Sequence, residues 1–190
     1  MNTSPSARSA ELLNRHRSRL LLVDLQERVM APILERETLI ARCRFLALGA
    51  QILSVPIYMT EQYPKGLGAT IPEIAEFATV RPAKLRFSCT ECLGWTPPGP
   101  EDPFQIIVAG IEAHVCILQT TLDLLALGYQ VHVPVDAVSD RIEVDRQIAF
   151  RRMELSGAVL TTAETVLLEW CETAEASEFK ALSKHLKGQA

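Results

Sequence analysis

Apolar residues in this chain follow two rhythms. Short unbroken runs alternate with longer stretches in which apolar side chains return every three or four positions. Leu20-Leu21-Leu22-Val23 and Phe104-Gln105-Ile106-Ile107-Val108 are nearly continuous, the pattern of strands buried on both faces of a parallel sheet. Residues 55–60, 130–135 and 158–162 read as further strands, with Pro56 near a strand start, where a missing donor is tolerated. Residues 35–54 carry Leu39, Ile40, Cys43, Leu46, Ala47, Ala50 and Leu53 at helical spacing. Residues 117–127 place Leu118, Leu122 and Leu125 likewise, and Gly128 stops that helix. Helices are also expected at 71–77, 141–155, 163–171 and 177–186. Residues 61–68 form a loop rich in Pro and Gly. Residues 79–88 read as a strand or extended turn carrying Lys84, and the prolines of 94–103 mark a connector that no helix crosses. Strand and helix alternate over short connections. That predicts an α/β fold of three αβα layers, a Rossmann-like central parallel sheet with helices on both faces and right-handed crossovers.

Composition narrows the picture. A chain of 190 residues suits one domain, expected at 19–190 behind a flexible arm at 1–18. The net charge of −4 argues against a polyanion partner, and no basic cluster is interleaved with aromatics, so no nucleic acid is expected. No apolar run reaches membrane-spanning length, so no membrane partner is expected either. The five cysteines are an odd number and follow no secretory signal, which points to free thiols and a cytoplasmic location. The Arg and Ser content of the first residues leaves organelle targeting as an alternative, against which Glu11 counts.

Three polar residues fall at or beside the ends of predicted central strands: Asp24, Lys84 and Cys116. The carboxyl ends of parallel strands share one edge, where open α/β sheets bind ligands. Cys116 also sits near the start of a predicted helix, whose terminus favours a thiolate. A thiol needs a base or a nearby cation to become a nucleophile. Asp24 offers the base and Lys84 the cation. Taken singly, each also fits a cap or a satisfied turn residue.

The strings Leu21-Leu22-Val23-Asp24-Leu25-Gln26, then Lys84 with Phe87-Ser88, then Gly110-Ile111-Glu112-Ala113-His114-Val115-Cys116 occur in that order. Together they resemble the isochorismatase-like cysteine hydrolase superfamily over nearly the whole chain. Residues 61–68 and 110–116 are similar to its isochorismatase domain-containing protein subgroup. The resemblance implies an Asp24-Lys84-Cys116 triad. It also implies a cis peptide between Ile111 and Glu112, and an oxyanion hole from the backbone N–H groups of Glu112 and Cys116. It implies cleavage of a small amide-like or related acyl substrate through a covalent thioester, without a cofactor, in a homo-oligomer. The terminal helices are the expected contact surfaces. Family members with a metal carry an Asp-x-His-x-x-His site after the second strand. Thr60 to Gly68 contain no histidine here, so no metal is expected. Isochorismatases proper lack the cysteine and split a vinyl ether with the acid. That route, with Asp24 as acid, and a non-catalytic binding protein remain the alternatives.

Gln26, Tyr63, Phe87, Ile111 and His114 are candidates for substrate contact. His114 lies two positions before Cys116 and so points to a different face, which favours packing or pocket lining over a base. Cys89-Thr90-Glu91-Cys92 has metal or redox spacing but no second pair nearby, and reads as two incidental thiols. Asp140 reads as a helix cap and Arg151-Arg152 as a solvated or interface pair.

Overall fold

The computed structural model describes residues 8–188; residues 1–7 of the expected arm, and 189–190, lie outside the described residues. Six parallel strands form the sheet: β1 (Ser18–Val23), β2 (Ile57–Gln62), β3 (Ala83–Lys84), β4 (Gln105–Gly110), β5 (Gln130–Pro134) and β6 (Val159–Thr161), in the order β3-β2-β1-β4-β5-β6. Four longer helices cover it, α1 (Arg36–Ile52), α5 (Leu118–Ala126), α6 (Glu143–Leu155) and α7 (Ala163–Cys171), joined by α8 (Phe179–Lys187). Three single turns, α2 (Pro64–Leu67), α3 (Pro72–Ala75) and α4 (Thr90–Leu93), interrupt the loops.

Side chains alternate across a strand, and β1 shows the consequence. Leu20 and Leu22 pack into the layer with residues of α1, α7 and α8, while Leu21 and Val23 face residues of α5 and α6. Both faces are dry, which is why these strands read as unbroken apolar runs. The three-layer parallel architecture expected from the sequence is present.

Register then sets the rim. Val23 pairs with both Thr60 and Gly110, and Gln62 pairs with Lys84. The last residues of β1, β2, β3 and β4 therefore end side by side. The strand order reverses between β1 and β4, the position where such sheets open a crevice.

Within the stretch expected as an arm, Leu13 is completely buried and its N–H donates to Glu169 Oε2 at 2.9 Å. Asn14 N–H donates to Gln105 Oε1 at 2.8 Å. One apolar side chain and two hydrogen bonds thus tie this part of the segment to the domain. The loop at 61–68 contains the turn α2, with Pro64 at its first position. The helix expected from Ile117 begins one residue later, because Ala113–Ile117 form a wider turn. There Ile117 N–H donates to Glu112 O, and Leu118 N–H to Ala113 O.

Candidate active site

Asp24 follows β1 in a left-handed backbone conformation, φ 54°, that Asp tolerates better than most residues. Its carboxylate lies over the rim. Thr60 Oγ1, at the end of the neighbouring strand, donates to Asp24 Oδ1 at 2.9 Å. Lys84 Nζ stands 2.6 Å from Asp24 Oδ2. The same ammonium donates to Gln62 Oε1 at 2.6 Å and to Phe87 O at 2.9 Å. Its fourth neighbour is Cys116 Sγ at 3.4 Å. The ammonium's three hydrogen bonds thus go to Gln62 Oε1, Phe87 O and Cys116 Sγ, and it meets Asp24 Oδ2 as a close ion pair. The structure brings Asp24, Lys84 and Cys116 together although they are distant in sequence.

All three are nearly dry, and electrostatics follow from that. The side chains of Lys84 and Asp24 are 2% and 4% exposed, and Cys116 is 7% exposed. Burial alone would lower the Lys84 pKa. The Asp24 carboxylate opposes this and holds the ammonium charged above its ordinary range. Cys116 moves the other way from the expected thiolate. Burial pushes its thiol well up, the Asp24 charge adds to this, and Lys84 offsets only part. These influences favour the protonated thiol over the thiolate beside the Asp24–Lys84 ion pair. Burial opposes the pull of the helix terminus, and the sequence carries no measure of how dry the sulfur becomes.

The turn carrying Cys116 is held from both sides. Gly110, φ 120°, crosses the end of β1 so closely that a Cβ would run into the Val23 carbonyl. The Ile111–Glu112 peptide is cis, as the resemblance implied. Among the described residues, Glu112 N–H meets no acceptor, and Cys116 N–H meets none outside its own turn. Ala113 N–H donates to Ser139 O. Asp140, completely buried, accepts from His114 N–H at 3.0 Å and lies 2.5 Å from His114 Nδ1. It also accepts from Arg141 N–H at 2.7 Å. Asp140 is therefore a clamp on the turn that carries Cys116; α6 begins beyond it with Ile142 as its cap. Arg141 Nε donates to Glu112 Oε2 at 2.6 Å.

The other sequence candidates separate. Gln26 is fully buried, with its amide engaged by backbone: Nε2 donates to Gln62 O and Gly68 O, and Oε1 accepts from Gln62 N–H. It latches the 62–68 loop to β1. Tyr63 and Phe87 are half-exposed at the rim, Ile111 is buried, and His114 is partly exposed. Lys84 also lines a cavity of 370 Å³ with Arg86, Ser88, Glu91 and Cys92. Thr60 and Gln62 escaped the sequence reading. Their one signal was position at a central strand's exit, the signal that found Asp24. Cys89, completely buried, sits 3.4 Å from Thr60 Oγ1, and its thiol is pushed up to about 12, chiefly by burial. Cys89 and Cys92 are both free thiols. Glu112, His114 and Asp140 offer ligand atoms within 4.8 Å of one another. Arg141 already occupies the Glu112 carboxylate, and three N–H groups or ring atoms crowd Asp140, so this group is balanced by its own contacts.

The isochorismatase domain family is matched over residues 100–165. Isochorismatase domain-containing protein 2 of Homo sapiens is similar to this chain at 40% identity over 171 residues, 90% of this chain and 83% of that protein. The structure of the MAR1 ribonuclease from Caenorhabditis elegans is similar at 42% identity with a TM-score of 0.84, covering 93% of this chain and 92% of that one. The octameric hydrolase YcaC of Escherichia coli, of unknown specificity, shares the fold at 22% identity with a TM-score of 0.78, over 96% of this chain and 95% of that one.

Proposed function

We propose, from the premise that this chain belongs to the isochorismatase domain family, that it hydrolyses a small amide-like or related acyl substrate with Cys116 as nucleophile. One observation carries the reading: a single buried ammonium lies 2.6 Å from the Asp24 carboxylate and 3.4 Å from the Cys116 sulfur. A thiol beside a carboxylate that an ammonium holds in place is a general-base arrangement.

Sγ attacks the carbonyl carbon as its proton passes to Asp24. The N–H groups of Glu112 and Cys116 hold the oxyanion, since among the described residues both are free of acceptors outside the turn. Collapse expels the amine, which leaves with the proton from Asp24. Water then gives a proton to Asp24 and attacks the thioester. The acid departs, and the proton returns from Asp24 to the sulfur. Lys84 keeps its charge throughout, fixing the carboxylate and balancing the negative charge that reaches sulfur. In this reading Tyr63, Phe87, Ile111 and His114 meet the rest of the substrate. No step requires a metal or cofactor.

The test is a screen of small amides, ureides and esters, with intact mass to trap an acyl adduct. An adduct that maps to Cys116 and disappears in Cys116→Ala is the expected result. Turnover that survives Cys116→Ala would overturn the thiol route and leave Asp24 as the acid of a vinyl-ether hydrolase. RNA belongs in the screen because the worm relative carries the name ribonuclease. The net charge of −4 and the dry site favour a small neutral substrate over a polyanion.

A further inference from the structure

The outer face of α6 is unlike the rest of the helical surface. A helix on an α/β sheet normally keeps its apolar side chains on the inner face. Here Ala149 and Met153 are buried against the domain, yet Val144, Ile148 and Leu155 are 60%, 53% and 77% exposed. Positions 144, 148, 151 and 155 fall on one line along the helix, so these three apolar side chains form a ridge with Arg151 within it. Ile142, 52% exposed, extends the ridge beyond the helix start. Contiguous exposed apolar surface rimmed by charge marks an association site.

The charges indicate what covers it. Arg146 is satisfied within the chain by Glu143 and Glu35. Among the described residues Arg151 and Arg152 enter no ion pair, and neither does Asp145 at the other end of the helix. Asp145 and Arg152 fall on the same flank of the ridge. A second copy of α6 laid antiparallel brings the Asp145 end of each helix against the Arg151–Arg152 end of the other, while the apolar ridges meet between them. A parallel arrangement would set arginine against arginine.

We propose that the outer face of α6 is an isologous interface between two copies of this chain, built on the ridge Ile142, Val144, Ile148 and Leu155 and oriented by Asp145 against Arg152. The terminal helices, expected from the sequence as the contact surface, carry no comparable ridge: on α7 only Leu168 is notably exposed, at 43%. The interface also abuts the candidate site. The inner face of α6 packs on the 113–117 turn, and the segment entering the helix supplies Ser139, Asp140 and Arg141, which grip that turn. Association therefore braces the clamp around Cys116 from outside.

The test reads oligomeric state by sedimentation velocity at micromolar protein, with far-UV circular dichroism to confirm folding. The wild type should sediment as a dimer or a multiple of it. Ile148→Glu should weaken association by more than about tenfold. Asp145→Lys alone and Arg151→Glu/Arg152→Glu alone should each weaken it. A mixture of the two should recover it, because the heterodimer restores opposite charges at both symmetry-related contacts. A monomeric wild type would overturn the proposal. So would an oligomer indifferent to Ile148→Glu, or charge variants that stay dissociated when mixed.

Discussion

Two carboxylate–cation pairs flank the turn that carries Cys116, and they share one length. Asp24 with Lys84 and Glu112 with Arg141 each stand at 2.6 Å. Their surroundings differ: the first pair is 4% and 2% exposed in its side chains, the second 21% and 48%. At equal separation the attraction scales inversely with the local dielectric, so the inner pair is bound far more tightly once formed. It also bears the cost of leaving water, which further hydrogen bonds must offset. Thr60, Gln62 and the Phe87 carbonyl supply them. The outer pair needs no such shell, because water provides it. Separation thus says little about what a pair does. The inner pair is a fixed charge array around a sulfur; the outer pair is a tether.

The largest effect should come from opening the inner pair. Lys84→Met leaves a buried carboxylate without its cation, a loss of about 3–5 kcal/mol in stability by urea denaturation. It should also abolish acyl-adduct formation at Cys116. If Arg141→Met proved as costly, the contrast between the pairs would be gone. Next in size is Thr60→Val, which keeps the shape and removes the donor to Asp24 Oδ1. Leaving that buried oxygen unpaired should lower stability by about 1–3 kcal/mol and slow turnover while Lys84 remains in place. A Thr60→Ser variant, which retains the hydroxyl, should recover most of the rate. Indifference to Thr60→Val would mean that water reaches the carboxylate.

The inner array was partly visible in the sequence, and the parts that were hidden share a cause. Asp24 and Cys116 could be found because an acid or a thiol just past an apolar strand breaks a pattern. The parallel sheet itself was legible because strands dry on both faces leave unbroken runs such as Leu20 to Val23. Thr60 and Gln62 break no pattern, and their roles come from register, which sets them beside residues of other strands. Gln26 misled in the opposite direction. A polar side chain at a strand exit suggests substrate, yet its amide closes on the backbone of the 62–68 loop. Asp140 looks like a local cap in the sequence because only the fold brings His114 to it. The state of Cys116 is the deepest case, since burial decides its proton and burial is a property of the assembled chain.

Burial also predicts how the thiol titrates. Because its pKa lies above the ordinary 9.0, Cys116 should react slowly with iodoacetamide at pH 7. Each pH unit should raise the rate about tenfold until the thiol ionises. Lys84 pulls this pKa down, so Lys84→Met should make labelling slower still. Stability has the same sign. Cys116 and Lys84 both hold protons in the folded chain beyond the point where the unfolded chain releases them. Their contribution is complete below pH 9 and is lost as pH climbs past the ordinary values of 9.0 and 10.5. Rapid labelling at neutral pH would instead place a thiolate in the resting site, and the inner pair would then be stabilising an anion on sulfur.

The smallest effect belongs to the outer pair, and salt is the variable that isolates it. Arg141→Ala removes a tether whose guanidinium is largely in water, so stability should fall by less than about 1 kcal/mol. That difference should shrink further at about 1 M salt, where charges are screened beyond about 3 Å. The Thr60→Val difference should hold across the same salt range, because ions do not enter the dry array. Should the Arg141→Ala loss persist undiminished in high salt, the Glu112 side chain would be held by something other than an exposed charge. The outer pair would then have to be counted with the inner one as part of the frame that positions the 113–117 turn.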